Sequence, residues 1–404
     1  MEITILSVKE RLGVIASCLF LLVCLLTLSG CISPIALDRA ALAYNQATAD
    51  ILYKQLLLNI ARTRNNDPIH FSGISNIAAT FNFQANAGAT PALTGVAGST
   101  ILPLFGMAAS ENPTVSIVPM EGEEFTRRLL TPIQESKMTL LLRQNIDVDL
   151  LLRLVAQEFR SQEQGRERVF QNRPKDGQGY ETFRRIALHL SSIQDHNQLF
   201  AEPLVFERTW IVPAQTITAE GFRGLEQGYS IILDPAKREY RLTRQITGRI
   251  LITNYNPSLL SNEERMRLND EIDPDSPDDM EVDIRPEYPG GEYPIHGKFR
   301  LRSFLNILSF IGQAIAAEPE YHVDKDPRTP VVSENPVTAL KIKESKTSLW
   351  NDGLGIEYNN NYYTIYPDDG YPWNKTAFRL LAQIFQMTMA EIPKVGIPSI
   401  TIAK

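Results

Sequence analysis

The chain has 404 residues, 43% of them apolar, with 40 Lys and Arg against 47 Asp and Glu for a net charge of −7. That composition argues for a folded, mildly acidic body and against a disordered one. No basic stripe interleaved with aromatics occurs, which argues against a nucleic-acid partner.

The first thirty residues carry the most specific signal. An uncharged apolar run over 13–28 follows Lys9 and Arg11. This is the shape of an export signal, and its core is short for a membrane span. Ser29 and Gly30 then stand directly before Cys31. Leu28-Ser29-Gly30-Cys31 resembles the lipobox of bacterial lipoproteins. The resemblance implies cleavage before Cys31 and attachment of lipid to its sulfur. An uncleaved anchor with a chance cysteine is the alternative. Cys18 and Cys24 fall inside the signal, so processing leaves Cys31 as the single cysteine and no internal disulfide. Ile32 follows where an aspartate would resemble the inner-membrane retention signal. The expected location is therefore the periplasmic side of an outer membrane, with the protein held there by lipid on Cys31.

About 370 residues remain after processing, enough for two or three compact domains. A tether and helix are expected over 31–68, with Leu42, Ile51, Leu52, Leu56, Leu58 and Ile60 near helical spacing and Arg62 and Arg64 at its end. Residues 69–120 read as a long β-hairpin or extended segment. From Ser75 to Ala89 the odd positions include Ile77, Phe81 and Phe83, while the even ones are small or amide-polar. Val115 and Ile117 repeat the alternation, and no Asp, Glu, Lys or Arg occurs from Ile69 to Ser110. Two readings compete here. One is a hairpin on a soluble sheet or a flexible glycine-rich loop. The other is a hairpin that crosses an outer membrane, for which roughly 9–11 tilted residues suffice. A lone hairpin would leave its edges unpaired in lipid, so the second reading requires a ring of subunits. In it Ile77, Phe81, Phe83, Val115 and Ile117 face the membrane or a neighbouring subunit.

Residues 121–200 read as a helical region: Glu121–Phe125 leads into a short helix to Leu130, and further helices follow over 135–145, 150–159 and 180–193. Asp147 or Asp149 would cap the third, and 160–179 is polar and turn-rich. Residues 201–269 are strand-rich, with segments at 205–211, 229–233, 240–246 and 249–253 and a short helix over 261–268. Residues 270–298, with eight carboxylates between Asp270 and Asp283, read as an exposed acidic, proline-rich loop. The C-terminal region 299–404 reads as α/β. It has an apolar helix over 299–317, strands near 338–342 and 355–365, a helix over 373–389 and a closing strand at 398–402. Helices interspersed with short strands give an α+β fold: a mixed periplasmic body with a long N-terminal β-hairpin that could contribute to an oligomeric β-barrel.

Chemistry is sparse. The five histidines show no HExxH spacing, and no GxSxG elbow, P-loop or dinucleotide fingerprint occurs. No cofactor or metal is expected, and no catalytic residue. His189 and His196 lie one heptad apart and read as solvated helix-end residues rather than as a metal site. Calcium at the acidic run is the weaker reading beside a solvated loop, and paired acids that act on glycans stay open. Trp350, Tyr363 and Trp373, within a late aromatic cluster, offer a possible stacking surface for a ligand; the alternative is an aromatic hairpin laid against the 373–389 helix.

Three blocks, Glu111–Thr114, Gly122–Phe125 with Leu129–Ile133, and Phe378–Phe385, resemble a group of Gram-negative lipoproteins without an established activity. The likeness implies location and carries no site residues. The expectation is thus a lipid-anchored, non-enzymatic assembly subunit of a multimeric envelope or secretion complex, bound to copies of itself or to envelope partners. The competing expectation is a tethered periplasmic ligand binder or a glycan-acting enzyme.

Overall fold

The structure, a computed structural model, describes residues 32–91, 101–144, 146–163, 166–226, 228–272, 276–347, 354–367 and 372–389. The signal segment, Cys31, Trp350 and the expected strand 398–402 lie outside them. The fold is mixed α+β with several sheets, and the described residues divide into two compact units, one within 32–55 and 72–119, the other within 56–71 and 120–389.

Helix α1 (Ile32–Arg64) contributes to both units. Its expected core positions separate along its length: Leu56 and Ile60 are fully buried, whereas Leu42 and Ile51 are 64% and 40% exposed. In the first unit, strands β1 (Phe71–Pro91) and β2 (Ile101–Met120) hydrogen-bond to each other in a two-stranded sheet. The side chain of Gln55 secures the start of β1, accepting from Ser72 N at 2.7 Å and donating to Ser72 O at 3.0 Å.

The second unit is built on a seven-stranded sheet. Helices α2 (Glu123–Leu130), α3 (Glu135–Leu142) and α4 (Val148–Val155) precede it, and Asp147 caps α4 by accepting from Asp149 N. The sheet contains β3 (Ala156–Glu163), β4 (Arg166–Gln171), β5 (Phe200–Pro213), β6 (Ser230–Asp234), β7 (Glu239–Thr253), β8 (Asp279–Ile284) and β9 (Ile295–Leu301). Its order is β4-β3-β9-β8-β7-β5, with β6 also on β7; β7 and β8 run parallel and the other pairs antiparallel. Helix α5 (Gln178–Asp195) packs on one face, where Phe183 meets Phe299 edge-on at 5.7 Å and Phe159 lies 4.8 Å from Phe299. Helices α6 (Ala219–Glu226) and α7 (Asn262–Glu271) lie between the later strands.

Helix α8 (Phe304–Ala314), capped by Ser303, approaches the end of α1 so closely that a Cβ on Gly312 would stand 2.4 Å from Thr63 Oγ1. A three-stranded sheet, β10 (Ile342–Ser345), β12 (Asn361–Ile365) and β11 (Gly355–Tyr358) in that order, and helix α9 (Trp373–Thr388) complete the unit. Phe71, Phe304 and Phe385 form a ring cluster with centroids 4.6–6.3 Å apart.

Several expectations are corrected. The acidic run is not a continuous exposed loop. Its second half is β8, an inner strand with Met280, Val282 and Ile284 buried and Asp279, Glu281 and Asp283 on the opposite face. The polar stretch 160–179 holds the second half of β3 and all of β4. The helix drawn over 150–159 stops at Val155, so Phe159 lies on a strand. The apolar helix drawn from 299 starts at Phe304, after β9. The two strands drawn over 240–253 are one, with a register shift against β5 near Pro203.

Candidate functional site

The strand residues singled out by alternation are only partly open to view. Ile77 is half-buried, while Val115 and Ile117 are 44% and 64% exposed. The last two lie two apart on β2 and so share a face, which presents apolar side chains to solvent. The surroundings of the Phe81 and Phe83 side chains fall outside the described residues.

Of the late aromatics offered as a stacking surface, Tyr363 and Trp373 are buried, and Trp350 lies outside the described residues. Tyr363 is fully buried on β12, and its hydroxyl donates to Glu344 Oε1 at 2.8 Å. Trp373 is 5% exposed, and its Nε1 donates to the carbonyls of Thr338 and Ala339 at 3.1 Å. Both rings are interior, because a buried polar tip needs a partner and each finds one there. His189 is likewise interior rather than solvated. Its ring nitrogens meet Thr329 Oγ1 at 3.0 Å and Gly290 O at 2.8 Å, and burial lowers its pKa. His196 sits at the end of α5 with Nδ1 on Ser192 O. Among the described residues no three His, Cys, Asp or Glu side chains group as metal ligands.

The charged face of β8 is a cross-strand ladder. Lys298 Nζ lies 2.6 Å from Asp279, and Asp283 accepts from Tyr255, Arg285 and His296 at 2.6–2.7 Å. Burial works to raise Asp283, but the bonds from His296, Tyr255 and Arg285 outweigh it and hold its carboxyl low. Glu281 goes the other way: burial, with the neighbouring Asp279 charge adding to it, pushes its carboxyl up to about 7.

The most developed polar centre lies where α4, α8 and the ends of β3 and β4 meet. Arg153 and Arg184 are buried and paired: Arg153 Nη2 with Glu320 at 2.6 Å, and Arg184 with Asp149. Tyr180 also donates to Glu320, at 3.1 Å. Arg302 differs. It is 5% exposed, yet its three hydrogen bonds go to backbone carbonyls, those of Arg153, Leu154 and Asn172, at 2.7–3.2 Å. Its guanidinium stacks 4.0 Å from the Phe310 ring centroid. Burial pulls its pKa down to about 9 against the attraction of Glu320.

Arg302 lines a cavity of about 340 Å³. One wall is the polar face of α8, with Asn306, Ser309 and Gln313 at helical spacing; the other is Gln157 with Gln171 and Asn172. An Arg173–Glu318 pair, 2.7 Å apart, flanks it. The Oδ1 atom of Asn172 is buried without a hydrogen-bond partner. The sequence did not single out this centre. The only trace there is Arg302 in the mixed stretch Phe299-Arg300-Leu301-Arg302-Ser303-Phe304, which reads equally as the polar edge of a helix.

Comparison with known protein families, with curated proteins and with solved structures finds no match for the chain.

Proposed function

We propose that the protein is a lipid-anchored outer-membrane assembly subunit that donates a β-hairpin to a multimeric envelope or secretion complex. The observation that carries this reading is the length of the β1–β2 sheet. Its strands have 21 and 20 residues. At about 3.3 Å per residue each extends roughly 65–70 Å, more than twice the hydrocarbon thickness of a bilayer. A hairpin register is supported by Ser75 Oγ on Ser116 O at 3.4 Å: Ser75 is 16 residues before Pro91 (91 − 75), and Ser116 is 15 after Ile101 (116 − 101).

Two strands alone are marginal in water and leave both outer edges unpaired. Copies of the pair placed side by side satisfy those edges, and a closed ring removes them altogether. The uncharged composition over 69–110 suits either lipid or close strand contact. Among the described residues no helix is long and apolar enough to cross a membrane, which says nothing of a barrel or of the apolar run 13–28; the proposed attachment is lipid on Cys31. The Arg302 cavity favours a second reading, a tethered binding protein.

Removal of residues 74–118, combined with metabolic lipid labelling of the wild type and Cys31→Ser, tests the proposal. The expected result is label on the wild type only and a folded deletion variant that no longer multimerises. A wild type that is unlabelled, or that was never multimeric, overturns it.

A further inference from the structure

The Arg302 cavity has a chemistry of its own, independent of how the strand pair is used. A guanidinium carries five N–H donors and a permanent charge, and burying it without a counter-ion is costly. The neighbouring arginines Arg153 and Arg184 each have a carboxylate; Arg302 has carbonyl oxygens alone. Those carbonyls include the end of α4, so part of the role of Arg302 is to cap that helix. A cap does not require an adjoining cavity of about 340 Å³ walled by side-chain amides and a hydroxyl. Of the charged groups that line the cavity, Arg173 and Glu318 cancel each other, and Arg302 adds a positive charge to which no carboxylate is bonded.

We propose that this cavity binds a small carboxylate-bearing ligand. Arg302 supplies the counter-charge for the carboxylate, and Asn306, Ser309 and Gln313 hydrogen-bond hydroxyl or amide groups beside it. The volume is at the small end of ligand sites, suited to a single sugar acid or a dipeptide terminus and too small for a polymer chain. The mixture of amides, which donate and accept, fits a ligand with both kinds of group next to its charge.

The test is calorimetric titration of the full chain in detergent with three carboxylates, each beside a neutral counterpart: glucuronate and glucose, N-acetylmuramate and N-acetylglucosamine, and N-acetyl-D-alanyl-D-alanine and its C-terminal amide. The expected result is binding of at least one carboxylate about tenfold or more tighter than its counterpart, as a charge-assisted contact provides. A sugar acid as the preferred partner assigns the site to glycans; the dipeptide assigns it to peptide termini. Because Arg302→Gln removes the helix cap and can unfold the protein, the decisive variant is Ser309→Phe, which plugs the cavity from the half-exposed face of α8. It is expected to weaken binding about tenfold or more with an unchanged melting temperature. Failure of all three carboxylates to bind at about 10 mM, equal binding of the neutral molecules, or unaltered binding in a folded Ser309→Phe variant would overturn the proposal.

Discussion

Replacing Glu281 by Gln should stabilise the protein, and only above mildly acid pH. Glu281 lies on β8 opposite Lys298 of β9 and Leu251 of β7. Burial lifts its carboxyl from 4.5 to about 7; Asp279 adds to the rise, and Lys298 and Arg249 oppose it. Below about pH 4.5 the group is protonated in both folded and unfolded chains and contributes nothing. As the pH rises toward 7 the unfolded chain releases its proton first, so the folded state loses stability across that window. The difference of about 2.5 pKa units, at about 1.36 kcal/mol each, amounts to roughly 3 kcal/mol above pH 7. Gln has the shape of the protonated acid and no charge to bury. Urea unfolding of both proteins at pH 4, 6 and 8 should therefore show equal midpoints at the lowest pH. The variant should gain progressively, up to about 3 kcal/mol at pH 8. A gain that does not change with pH, or a variant less stable than wild type at pH 8, would refute the reasoning.

Other substitutions probe separate joints. Gly312→Ala should cost about 1–3 kcal/mol in urea unfolding, because the new methyl meets Thr63 Oγ1 and the backbone nitrogen of Arg64 inside 3 Å. Phe71→Ala should cost about 3–5 kcal/mol, since the ring is 1% exposed and central to the Phe304–Phe385 cluster. The bond to Asp283 raises the pKa of His296. Its contribution is complete below the unfolded value of 6.5 and is lost as pH rises through the folded value. His296→Gln should then lower the melting temperature at pH 5.5 and leave it unchanged at pH 9.

Periodicity made the long elements legible and failed where charge masked it. The alternation from Ser75 to Ala89 announced β1, and the apolar spacing of Phe183, Ile186 and Leu190 announced α5. Asp279 to Ile284 alternates equally well, but every second residue is an acid, and carboxylates are rarely expected on an inner strand. Lys298, Arg285 and His296 make it possible by supplying partners from β9 and from the chain just after β8. Such pairing across the sheet is invisible in a linear reading. The aromatic surface failed for a related reason: Tyr363 and Trp373 carry polar tips, which suit a ligand site and an interior with hydrogen-bond partners equally. Arg302 was missed because its isolation among backbone carbonyls exists only once α4, β9 and α8 are brought together.

The most direct test of the assembly reading is the mass of the full-length, lipidated protein in mild detergent, measured by native mass spectrometry. The account predicts a discrete, ring-sized oligomer in which the edges of the β1–β2 pair are satisfied by neighbouring copies. A clean monomer at concentrations where the protein remains folded would contradict it and leave the tethered binder in its place.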